Sequence, residues 1–78
     1  MERQANKQKG NSMKGKVIPV DLYDANGNMK GIEFNTPSGE FVIEATWDPR
    51  DEQNSENRVA FRKWAYHMLT QMDYEVDK

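Results

Sequence analysis

Between Lys16 and Trp47 apolar residues recur at every second position, and most of the polar residues between them are acidic. From about Ser55 to Met72 the apolar residues recur at helical spacing instead, and Arg58, Arg62 and Lys63 bring basic charge. A period of two sends alternate side chains to opposite faces of a strand, whereas a period of 3.6 gathers them on one stripe of a helix. The pattern predicts an α+β fold. A three-stranded antiparallel meander is followed by one C-terminal helix packed on one sheet face, in the order β-β-β-α.

The first strand is expected over residues 16–24, with Ile18, Val20 and Leu22 toward the core and Val17, Pro19, Asp21 and Tyr23 away from it. Pro19 has no N–H to give a ladder, which marks an edge strand or a bulge. Asn26-Gly27 supplies the positive φ angles of a tight hairpin turn. A second strand follows over 29–35, with Ile32 and Phe34 sharing a face. Thr36-Pro37-Ser38-Gly39 reads as another turn. The third strand spans 40–47, with Phe41, Ile43, Ala45 and Trp47 facing one way and Glu40, Val42, Glu44 and Thr46 the other. Residues 50–57 contain no apolar side chain, so a helix there has nothing to bury and its start is placed at Asn54 or Ser55. Within the helix Phe61, Trp64, Ala65, Met68 and Met72 form one stripe with Leu69 at its border, and Trp47 and Trp64 are expected to meet in the core.

A chain of 78 residues holds one core. Domains near 60 residues bury only about 60% of their unfolded surface, so single core changes matter. Residues 1–15 lack apolar periodicity and read as a disordered basic tail ahead of a single domain over 16–78, with Met13 an alternative start. The net charge of −2 conceals a partition. Arg3, Lys7, Lys9, Lys14 and Lys16 face only Glu2 in the first sixteen residues, whereas residues 17–57 hold nine carboxylates against Lys30 and Arg50. The absence of cysteine excludes disulfides and thiolate metal sites. No signal peptide or membrane span is visible, which predicts a soluble, cytoplasmic protein.

Candidate chemistry is sparse. Asp24-Ala25-Asn26-Gly27-Asn28 superficially resembles a calcium loop, but Gly27 is fourth from Asp24 and Asn35 stands where the closing glutamate is needed. His67 has Lys63 and Gln71 at helical spacing, so it has no partner for a metal pair or a catalytic triad. No catalytic residue, metal or cofactor is expected. Asp21, Glu33, Glu40 and Glu44 alternate with core positions and are expected to share the outer sheet face as a contact surface for a basic partner. Val59, Arg62, Lys63 and Tyr66 form a second candidate face on the helix, in residue types common at binding hot spots. Tyr74 and Val76 follow the helix and either fold back or dock a partner.

These features predict a small non-enzymatic protein-interaction module: an adaptor, regulator or inhibitor of a larger protein, of the kind phages and mobile elements encode. The alternative is a nucleic-acid-binding protein using the basic tail and the helix face. The strand–strand–strand–helix order resembles in topology the integrase amino-terminal and plant AP2 DNA-binding domains, whose resemblance implies groove reading by the sheet. Such sheets carry basic and polar residues outward, whereas this one is acidic. Self-association is left open by the sequence.

Overall fold

The computed structural model describes residues 14–77. The expected tail lies outside them up to residue 13. Strands β1 (Gly15–Tyr23), β2 (Met29–Asn35) and β3 (Phe41–Thr46) are followed by helix α1 (Ser55–Gln71) and a short strand β4 (Tyr74–Val76). The fold is α+β, with a sheet of four strands in the order β3-β2-β1-β4. The meander β1-β2-β3 is antiparallel, while β4 lies parallel to β1.

Both hairpin turns form through the residues that the sequence supplies. Gly27 sits at φ 82°, and the Asp24 carboxylate accepts the N–H groups of Asn26 and Asn28 at 2.8 and 3.0 Å. Gly39 takes φ 96°, and the Thr36 hydroxyl accepts the Glu40 N–H at 3.0 Å. The start of α1 is fixed by Asn54, whose side chain accepts the Asn57 N–H at 2.7 Å and so satisfies one orphan donor. Its other end turns sharply at Asp73, a non-glycine residue at φ 68°. That left-handed residue redirects the chain into β4, and its carbonyl accepts the Lys14 N–H at 2.7 Å. At the far end of β4 the Asp77 N–H bonds the Val17 carbonyl at 2.9 Å.

The fourth strand changes which side of β1 is the inside. Val17 pairs with Val76 and is fully buried. Because side chains alternate strictly along a strand, fixing Val17 inward carries Pro19 and Asp21 with it and sends Ile18, Val20 and Leu22 outward. The register agrees, setting Asp21 beside buried Ile32, and Val20 beside Glu33 on the opposite face. The expected core side of β1 is therefore inverted. Phe41 also departs from the expected core. An irregularity between Phe34 and Asn35 pairs Asn35 with Phe41 and Phe34 with Ile43, leaving Phe41 61% exposed.

The helix is rolled relative to the expected stripe. Ala65 and Leu69 are fully buried and meet Val17, Ile32, Phe34 and Ala45 in the core. Ala65 has no bulk beyond Cβ, so α1 approaches the sheet along that line. Trp64, one residue and about 100° away around the helix, is 54% exposed. Trp47 is buried as expected, but it reaches Trp64 only through Phe61, with ring centroids 5.2 and 6.0 Å apart along the row.

Candidate functional site

The face of the sheet turned away from α1 is made of cross-strand rows. Val20, Glu33 and Glu44 form one row in direct register. Ile18, Asn35 and Phe41 form the next, and Leu22, Gly31 and Thr46 the one on the other side. The result is an apolar column along β1 beside two facing carboxylates. Directly opposed side chains in an antiparallel pair lie about 4.5–5.5 Å apart at Cβ, and like charges there repel. Asn35 partly offsets this, its side-chain amide donating to Glu33 Oε1 at 3.0 Å.

Gly31 belongs to this geometry. A Cβ on Gly31 would lie 2.5 Å from the Ala45 carbonyl oxygen and 3.1 Å from Glu44 Oε2. The missing side chain is what allows the Glu44 carboxylate to lie over the strand.

The four carboxylates expected on one face are not together. Glu33 and Glu44 share the open face. Glu40 is exposed in the turn ahead of β3, outside the rows. Asp21 is on the helix side, where its Oδ2 accepts from Arg62 Nη2 at 2.6 Å. Each side chain of that pair keeps about a third of its surface exposed, so the contact contributes about 1 kcal/mol or less. Its effect is chiefly to fix how β1 and α1 face each other.

The second candidate face divides as well. Val59 and Lys63 are exposed. Arg62 is turned to Asp21, and Tyr66 lies edge-on against Phe34 with centroids 6.0 Å apart. His67 is exposed, and among the described residues no group of three His, Asp or Glu is placed to hold a metal ion. No helix of the described residues is long and apolar enough to cross a membrane.

Two features escaped sequence reading. One is the apolar column on the open face, which the alternation of β1 shows but cannot assign to inside or outside. The other is the loop 47–54. There Arg50 grips Asp48 through Nε to Oδ1 at 3.1 Å and Nη2 to Oδ2 at 2.9 Å. The hydrogen bonds from Arg50 hold the Asp48 carboxyl below its ordinary range and raise the Arg50 guanidinium. Comparison with protein-family models, curated proteins and solved structures gives no match.

Proposed function

We propose that this protein is a small non-enzymatic protein-interaction module, an adaptor, regulator or inhibitor, whose open sheet face binds a basic and partly apolar surface of a larger protein. The observation that carries this reading is the phase of β1. Ile18 and Val20, 38% and 43% exposed, stand with Leu22 on the open face while Asp21 is drawn to the helix side. Fully burying one such aliphatic side chain contributes about 1.5–3 kcal/mol. A sheet that leaves Ile18 and Val20 exposed and Leu22 half-buried forgoes part of that gain in isolation, and a covering partner recovers it. The facing Glu33 and Glu44 give the partner its sign. A cation set between them relieves their repulsion, which favours a lysine- or arginine-bearing surface and steers its approach.

Nucleic acid fits less well. Phosphate is repelled by the same two carboxylates, and Arg62 is already paired with Asp21, leaving Arg58 and Lys63 as the other cations of the helix, on the opposite side of the sheet.

Glu44→Lys tests the reading. The new lysine stands opposite Glu33, so the melting temperature should hold or rise by up to about 5 °C. Affinity for the partner captured from the native host should fall at least tenfold, because repulsion replaces attraction across the interface. Equal affinity in both proteins would remove the sheet face from the interaction. Recovery that nuclease treatment abolishes would favour the nucleic-acid alternative.

A further inference from the structure

A second surface lies on the β3 edge of the molecule, away from the open sheet face. The loop after β3 and the N-terminal half of α1 enclose an open hollow of about 320 Å³. Its apolar wall is Phe61 and Trp64, and its acidic rim is Asp48 and Asp51. We propose that this hollow is a binding site for a single arginine side chain projected by a protein partner. Apart from Thr46 at the edge of the open face, its lining residues are not those of the sheet face, and it goes beyond that reading.

Three observations converge on this occupant. The first is the exposed aromatic surface. Trp64 is 54% exposed although it is the largest side chain on α1, and its ring leans on Phe61 at 31° with centroids 6.0 Å apart. An indole face held open in this way attracts a cation through its quadrupole, and a planar guanidinium also stacks on it. The second is charge. Both ionisable groups lining the hollow among the described residues are carboxylates; Asp48 is already paired with Arg50, so the net negative charge comes from Asp51. Asp51 has no hydrogen bond or ion pair to its carboxylate among the described residues. The third is an internal precedent at the same rim. Arg50 already binds Asp48 in the two-pronged manner of a guanidinium on a carboxylate, with its own side chain pointing to solvent. Asp51 offers a second carboxylate of the same kind, beside the aromatic wall.

Size and contrast support the choice. The volume is at the lower limit of small-ligand pockets, about 300 Å³, and so suits one side chain better than a large ligand. A neighbouring hollow of about 450 Å³ shares Thr46 and Asp51 but includes Lys30 and Gln53. That hollow is acidic too, with Asp24, Glu44 and Asp51 against Lys30, but its aromatic residue, Trp47, is buried and offers no open ring face, and its Gln53 amide is consumed by hydrogen bonds to Met29. Of the two, the hollow beside Trp64 is the one that sets an exposed indole next to a carboxylate.

The test is a titration of the full-length, nitrogen-15-labelled protein with a blocked Gly-Arg-Gly peptide at millimolar concentrations. The Trp64 indole and Asn57 side-chain amide signals should shift, and those of Ile18, Val20 and Glu33 on the open sheet face should not. The same peptide with citrulline, which keeps the shape and loses the charge, should shift them at least fivefold less. Asp51→Asn should weaken the arginine response at least threefold, and Trp64→Leu, which keeps apolar bulk against Phe61, should abolish it. Ile18→Thr with Val20→Thr, on the open face and outside both hollows, should leave it intact, so that failure here and failure of the sheet-face reading give different results. Equal shifts with arginine and citrulline, an unaltered response in Asp51→Asn, or shifts confined to the sheet face would each overturn the proposal.

Discussion

Gln53 carries more of this structure than its place in a wholly polar stretch suggests. Its side-chain amide acts as a one-residue strand. Oε1 accepts the Met29 N–H at 3.0 Å, and Nε2 donates to the Met29 carbonyl at 2.9 Å. Those bonds tie the β3–α1 loop to the start of β2, where Trp47 N–H also reaches the Lys30 carbonyl at 3.0 Å. Gln53→Ala leaves two partly buried backbone groups without partners, a loss of about 1–3 kcal/mol. We expect thermal unfolding about 10 °C lower, with Gln53→Glu, which keeps the acceptor and loses the donor, between the two. A change below about 3 °C would mean that water replaces the amide without loss. Asp48 and Arg50 are different in kind. Their pair lies at the surface, so it shapes the loop at neutral pH and is lost as the pH falls through the depressed pKa of Asp48.

Elements in this fold are held in place by close approach as much as by apolar bulk. Gly31 lies where β2 and β3 run together, and an added Cβ would meet the Ala45 carbonyl oxygen at 2.5 Å. Backbone cannot move aside as a flexible side-chain tip can, so strain of about 1–3 kcal/mol outweighs the entropic gain of about 0.4–1 kcal/mol that alanine usually brings. Gly31→Ala should therefore lower the midpoint of urea unfolding with little change in its slope. A midpoint that rose would show that the two strands separate freely at this point. The helix follows the same logic. Ala65 and Leu69 face the sheet because a small side chain followed one turn later by a long one lets α1 lie close, and this leaves Trp64 at the flank.

For the whole molecule the decisive variable is the phase of β1, and paired substitutions read it directly. Thr keeps the β-branched shape of Val and Ile while adding a hydroxyl. Ile18→Thr with Val20→Thr changes only the open face, so stability should shift by less than about 1 kcal/mol in total. Partner affinity should fall at least tenfold. Val17→Thr places a hydroxyl in the fully buried core between β4 and α1 and should cost about 1–3 kcal/mol. The reverse ranking in chemical denaturation would place Ile18 and Val20 inside. The outcome for the partner then separates a binding surface from an apolar column that binds nothing.

The sequence alone determined the elements and their order over 16–72, because each rests on local physics. Gly27 and Gly39 provide the positive φ angles of the turns, Asn54 caps the helix, and the change from period two to period 3.6 separates strand from helix. Glu33 and Glu44 were legible as neighbours because Ile32 and Phe34 define the buried side of a central strand on which both flanking strands must agree. Tertiary structure alone decided the rest. The pattern of β1 allows two phases, with Val17, Pro19 and Asp21 or Ile18, Val20 and Leu22 inside. Its choice depended on the three residues of β4, too short a segment for any periodicity to announce. That choice moved Asp21 to Arg62 and placed the apolar column beside the acidic pair. The roll of α1 was likewise open, since the stripe that set Trp64 inside and Leu69 at its border turns by a small rotation into one that buries Leu69 and frees Trp64. Close packing through Ala65 buried Leu69 and left Trp64 as part of the wall of the hollow.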